Sequence, residues 1–165
     1  MKASMTRLAL AGLLALTAGA ASAAVKVSYV HPEKFYDLPF GTADRDEMLG
    51  QLTDYFNELG KALPQGQDLR IEVTDFDPAG RIIPNARSGR DLRVLTGRAD
   101  WPRLEMHYAV EQNGQVIKSG EAKLSDMNYQ QNSIHFNNNE PLFYEKRMID
   151  EWFDKTIAPI ERRRR

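Results

Sequence analysis

The sequence contains no cysteine in its 165 residues. This absence excludes a disulfide-stabilised fold, a cysteine-ligated zinc site, a cysteine nucleophile and a lipid anchor on an amino-terminal cysteine. The sequence also lacks the amino-acid composition of a disordered or collagen-like chain, because 42% of the residues are hydrophobic and only 11 are glycine. The length suits one domain, so we expect a single apolar core.

Long hydrophobic runs are absent except near the amino terminus. Residues 8–20 are uncharged, follow Lys2 and Arg7, and precede a short run of small residues. A helix needs about 20 apolar residues to cross a bilayer, so this shorter run predicts a cleaved secretory signal over 1–23 rather than a membrane anchor. We therefore expect an exported mature chain that begins at Ala24 and has no transmembrane segment.

An excess of basic residues is also absent. The chain has 22 Lys and Arg against 23 Asp and Glu. Between the signal and the terminal arginines 162–165, the expected domain over 24–161 has 16 basic and 23 acidic residues, a net charge of −7. Nucleic-acid binding is excluded because it needs a basic face. The basic tail 162–165 is either solvated or a contact for an anionic envelope polymer or lipid surface.

Hydrophobic periodicity predicts an α+β two-layer sandwich. Both amphipathic helices would pack on one face of a mainly antiparallel sheet of four to five strands. In the final helix, residues 142, 145, 149, 152, 153 and 157 recur at helical spacing. The predicted elements are a strand over 25–30, a helix over 44–62, a strand from Leu69 to Thr74, a short strand at 92–95, a hairpin over 103–124 and a final helix. The first helix is predicted to begin with an Asp44–Glu47 capping box. The final helix is predicted to begin at Asn139 or Glu140, with Pro141 in its first turn.

The hairpin turns at Asn113 and Gly114, and its register follows from the loop length. A two-residue loop would set Met106 against Glu121, which is a poor core pair. A three-residue loop with Gly114 in the left-handed conformation moves the pairing by one residue, so we expect that loop. It pairs Leu104 with Leu124, Met106 with Ala122, Tyr108 with Gly120, Glu105 with Lys123 and His107 with Glu121.

Recognised catalytic spacings are missing from the sequence. It has no Gly-x-Ser-x-Gly elbow, phosphate-binding glycine loop, His-Glu-x-x-His motif or dinucleotide fingerprint. The three histidines lie far apart, so neither a cofactor nor a transition metal is predicted. We expect His107 to be the partner of Glu121 rather than a base, and His31 and His135 to be solvated.

Asp75 and Asp77 form the most site-like pattern, at the end of a predicted strand and before the turn at 78–80. Their carboxylates would suit calcium or, with Glu72 or Asp91, a hydrolase acting on an envelope polymer. The alternative is that each aspartate caps its own turn, while Phe76 between them points to the core.

Arg81 begins a stretch in which arginines recur up to Arg103. Guanidinium groups suit phosphate or carboxylate, so this stretch is a candidate anion-binding loop. Asp91 and Asp100 lie within it, and the alternative is a solvated loop of salt bridges. Asp75, Asp77 and Arg81 are therefore the candidate binding residues, and no catalytic residue is assigned.

Several motifs of the mature chain resemble a bacterial envelope family. The matching segments are V-S-Y-V-x-P-E-K-F-x-D at 27–37, L-P-x-G-x-x-L-x-I-x-V-T-D-x-D-x-A-G at 63–80, P-R-L at 102–104, G-E-A-x-L-S-D-x-x-Y at 120–129, P-L-x-Y-E-K-x-M at 141–148, and W-F at 152–153. Together they resemble the family called domain of unknown function 3016, over nearly the whole mature chain. The resemblance implies a secreted, periplasmic protein of Gram-negative type and implies no activity or site residues.

The leading functional expectation is a non-enzymatic accessory or binding module of the bacterial envelope. Its partner would be another envelope protein or an anionic envelope polymer, bound at a free sheet face or edge. A carboxylate-dependent hydrolase and a calcium-binding envelope protein are the alternatives.

Overall fold

The computed structural model describes residues 24–84, 91–131 and 140–159. The elements are β1 (Val25–Tyr29), a 3-10 turn (Pro32–Lys34), α1 (Thr42–Gly60), β2 (Gln67–Asp77), β3 (Arg81–Ile83), β4 (Leu92–Val94), β5 (Arg103–Gln112), β6 (Gln115–Ser125) and α2 (Phe143–Thr156). His135 and the tail 162–165 lie outside the described residues. Within these ranges, no helix has the length and apolar character needed to cross a membrane.

The main sheet has four strands in the order β1-β2-β5-β6, and β3 and β4 form a separate two-stranded ribbon. The β1–β2 pair is parallel because α1 crosses over between the two strands, while the other two pairs of the main sheet are antiparallel. The expected α+β sandwich with a mainly antiparallel sheet is confirmed.

The core lies between one face of the sheet and the two helices. Phe56 of α1 and Phe153 of α2 are fully buried, and so are Ile71, Phe76 and Met106 from the sheet. Each such side chain contributes about 1.5–3 kcal/mol by leaving water. The other sheet face carries charged residues such as Glu72 and Lys123, which are exposed.

Both helices begin at residues other than those predicted. α1 begins after Gly41, which makes no side-chain cap, so the Asp44–Glu47 capping box is wrong. Asp44 instead lies in the first turn, where a negative charge is favourable beside the helix dipole. α2 begins after Leu142, whose φ of 54° is left-handed, so Pro141 precedes the helix and does not lie in its first turn.

The predicted hairpin pairs are confirmed, but the predicted loop is wrong. Asn113 and Gly114 both have positive φ, and Gln112 faces Gln115 across a two-residue loop. The register moves by one residue further along β6, where Ile117 is the extra residue of a bulge. The bulge therefore supplies the shift that the longer loop was expected to supply.

A second bulge lies in β2 and decides where Asp75 and Asp77 point. Val73 faces Met106 and Asp75 faces Glu105, so Thr74 is the extra residue. If the strand kept Thr74 and alternated regularly, with no bulge, both aspartates would point into the core on the same side as Val73. With the bulge, Phe76 is fully buried, as predicted, and both aspartates lie on the opposite side of the strand.

The ribbon matches only half of the prediction. The short strand predicted at 92–95 is confirmed as β4. Its partner β3 lies in the stretch from Arg81 that was predicted to be a loop, because three residues are too few to show a strand period.

Candidate functional site

Asp77 is a partly buried carboxyl at the end of β2. Its Oδ2 lies 3.6 Å from Nη1 of Arg103. Burial raises the pKa of Asp77 to about 6; Arg103 opposes this shift, and the negative charges of Asp37, Asp75 and Glu145 add to it. Asp77 therefore exchanges a proton close to neutral pH.

Glu145 is the most unusual charged residue in the described chain, because it is fully buried on α2. Its Oε1 accepts a hydrogen bond of 2.7 Å from the Ala79 amide and another from Nη2 of Arg93. Nε of Arg93 donates to the Ala79 carbonyl over 2.5 Å. Glu145 thus fastens both the turn after β2 and the ribbon strand β4 to α2.

Sequence reasoning missed this role of Glu145, although a signal was present. Glu145 occupies the same helical stripe as the buried Ile149 and Trp152. A carboxylate in such a stripe needs a buried partner, since an unpaired buried charge is costly. Its Oε2 has no hydrogen-bond partner among the described residues.

The residues predicted as a site are only partly brought together. Asp75 and Asp77 lie on one side of β2, whereas Arg81 is exposed on β3. In the described ranges, neither aspartate accepts a hydrogen bond from the turn at 78–80, which is held instead by Glu145.

The two acidic residues weighed with them have other partners. Glu72 lies on the exposed sheet face, and Asp91 accepts a hydrogen bond of 3.1 Å from the Phe40 amide. His107 faces Glu121 in the register, as predicted, but its Nδ1 lies 3.4 Å from Oε2 of Glu72 instead. His31 is largely exposed.

Asp100 organises the loop between β4 and β5. Its carboxylate accepts hydrogen bonds from the Thr96 amide at 2.6 Å, the Arg98 amide at 2.9 Å and the Tyr129 hydroxyl at 3.1 Å. Burial alone would raise the pKa of Asp100, but these hydrogen bonds hold it below its ordinary value. Asp100 is therefore a structural anion within the loop.

A surface cavity of about 470 Å³ lies beside the segment that follows β1, and we call it the loop cavity. Residues 32–40 line it together with Arg45 of α1 and Ile82 of β3. At its edge, Tyr36 and Phe40 are 73% and 74% exposed, and we call this pair the aromatic rim. Isolated exposed apolar residues are ordinary, but two aromatic rings beside a cavity are typical of a binding surface.

A second cavity of about 210 Å³ adjoins the first, because Pro39 and Ile82 line both. Two further cavities, of about 370 and 290 Å³, lie along α2. None of these four is lined by Asp75 or Asp77. In the part of the chain that the structure describes, no three His, Asp or Glu residues are placed to hold a metal ion.

Comparison with known proteins identifies the family but no characterised relative. No curated protein and no solved structure matches the chain. The family described as "Protein of unknown function (DUF3016)" matches residues 23–155, and the chain therefore belongs to that family.

Proposed function

We propose that this protein is an exported, non-enzymatic binding module of the bacterial envelope that holds a partner protein at the aromatic rim and the loop cavity. The observation that carries the proposal is the exposure of Tyr36 and Phe40, at 73% and 74%, beside a cavity of about 470 Å³. Aromatic residues are enriched among those that contribute most to binding energy at protein interfaces.

The backbone around the loop cavity is held in place before any partner arrives. The Phe40 amide donates to Asp91, and Leu38 packs into the main core. His31 and Asp37 have φ of 54° and 49°, values that favour glycine and persist only where the surroundings enforce them. A surface ordered in advance loses less entropy on binding than a mobile one.

Export to the periplasm is part of the proposal: export rests on the pattern of residues 1–23, and the periplasm rests on the resemblance to the family. A basic start, a short uncharged run and small residues before Ala24 are what signal peptidase requires. The protein for the binding experiment is therefore prepared from the periplasmic fraction, where we expect its amino terminus at Ala24.

The test is quantitative affinity capture from an envelope extract with three baits. Tyr36→Ala/Phe40→Ala removes the aromatic rim, and Val116→Ala/Ile117→Ala removes two apolar side chains at the hairpin tip that are 57% and 52% exposed. We expect the rim variant to lower recovery of the partner about tenfold or more, and the tip variant to match the unmodified bait. Equal recovery with all three baits, or none above an unrelated bait, would refute the proposal.

A hydrolase that uses Asp77 is the second candidate. The specific observation in its favour is the raised pKa of about 6, since a general acid works best when its pKa lies near the operating pH. We place it second because Asp77 lines none of the four cavities and is paired with Arg103. Cleavage of an envelope polymer that Asp77→Asn abolishes, with its fold intact, would reverse this order.

A further inference from the structure

We infer that the loop cavity binds the free carboxylate at the end of an apolar polypeptide, and that Arg45 is the residue that receives it. This inference rests on the proposed function and names the part of the partner that the module recognises.

Arg45 has no partner within the described chain. Its side chain makes no ion pair or hydrogen bond there, and its Nε is buried without an acceptor. Four other arginines, by contrast, contact a carboxylate; they are Arg70, Arg93, Arg103 and Arg147. A buried N–H donor without an acceptor is costly, and a carboxylate bound side-on, to Nε and the neighbouring Nη, would supply that acceptor through two parallel hydrogen bonds.

The remaining charges of the loop cavity do not supply that anion. Glu33 lies 3.2 Å from His31 and is more than half exposed, and Asp37 and Lys34, the other cation of the lining, are exposed as well. Exposed charges are screened by water and salt, whereas Arg45 lies beside the buried Leu38 and Pro39. A carboxylate that reaches Arg45 therefore meets a partly buried cation beside apolar residues, where charge-assisted hydrogen bonds are stronger than in open water.

The second cavity favours an extended chain over a small acid. It continues from the loop cavity past Pro39 and Ile82, so a ligand anchored at Arg45 has a path across both. Three acidic residues and one arginine that is already paired with Glu145 line it; they are Asp44, Glu47, Asp91 and Arg93. Charge complementarity therefore fits a polypeptide end with apolar last residues and a basic residue upstream.

The test measures fluorescence anisotropy of a fluorescein-labelled peptide, Gly-Lys-Gly-Ala-Leu-Phe, against the same peptide with a carboxy-terminal amide. With the full mature protein, we expect the acid to bind about tenfold or more tightly than the amide, since hydrogen bonds to a charged group are the strong ones. Arg45→Gln is expected to abolish the preference. Arg45→Lys keeps the charge, loses the fork and should retain only part of it.

Arg98→Gln is the matched control, because Arg98 is an exposed arginine in the loop between β4 and β5 and lines none of the four cavities. It should leave the preference for the acid unchanged, and thermal denaturation should show that all variants remain folded. Loss of the preference in Arg98→Gln but not in Arg45→Gln would overturn the assignment.

Two further outcomes separate this inference from the proposed function. Equal binding of acid and amide, while the rim variant still loses its partner in capture, would overturn the carboxylate inference and leave the binding module standing. If 3-phenylpropionate displaced the labelled peptide at the same concentration as the unlabelled peptide acid does, a small aromatic acid would bind as well as a peptide. That result would overturn the choice of a polypeptide end as the ligand.

Discussion

Removal of Arg93 is the sharpest test of how the ribbon is fastened to the domain. In Arg93→Ala, Glu145 keeps its charge and its full burial but loses its only described cationic partner. Breaking a buried ion pair from one side costs about 3–5 kcal/mol, because the remaining charge is left without compensation. For a domain of this size that loss corresponds to a fall in Tm of roughly 10 °C.

Glu145→Gln is expected to cost less than Arg93→Ala. Its amide oxygen can still accept from Ala79 and Arg93, and no buried charge is left behind. The double variant Arg93→Ala/Glu145→Gln is therefore expected to be more stable than Arg93→Ala alone, although it has lost more hydrogen-bonding groups.

Urea denaturation of the unmodified protein, Arg93→Ala, Glu145→Gln and the double variant measures these differences in the free energy of unfolding. Equal m values would show that all four unfold in the same transition. The reasoning would be refuted if Arg93→Ala lost less than about 1 kcal/mol, or if adding Glu145→Gln destabilised it further, since either result would mean that Glu145 is not an uncompensated charge without Arg93.

Two further predictions concern pH and backbone packing. The pKa of Asp77 is about 6 in the folded protein against an ordinary 3.8, so the folded state binds more protons and its stability is expected to fall, on the order of 2 kcal/mol, as pH rises from 4 to 6. Urea midpoints across this range should show the fall, and Asp77→Asn should flatten it; a rise with pH would contradict the assignment. Gly60→Ala should destabilise the domain by about 1–3 kcal/mol, because its Cβ would lie 2.2 Å from Cγ2 of Val25. Gly50→Ala lies in the same helix with nothing within 4 Å of its added Cβ, so it should instead stabilise the domain by up to about 1 kcal/mol. Equal melting temperatures for the two variants would contradict the packing argument.

Sequence reasoning found the elements whose signal is periodic. Alternation predicted the hairpin pairs from Leu104 to His107, because apolar and charged partners match in only one register. The same reasoning could not tell a longer loop from a bulge at Ile117, since both move the pairing by one residue. It also missed β3, because a strand of three residues is recognised only from its pairing with β4.

The contacts at the candidate sites could not be predicted from the sequence for a different reason. Glu145 shows a local signal, but its partners Arg93 and Ala79 lie 52 and 66 residues away in the chain. Arg45 looks like an ordinary helical residue until the segment 32–40 folds against it. Such sites arise from tertiary packing, which no single period in the sequence records.

The bulge at Thr74 has a consequence for the tolerance of β2 to changes in length. Before Thr74, the buried residues of β2 have odd numbers, up to Val73. After Thr74, the buried residue is the even-numbered Phe76. Loss of Thr74 alone would join both halves into one unbroken alternation and leave Val73 and Phe76 in the core. The strand can therefore lose one residue at Thr74 without exchanging its two faces.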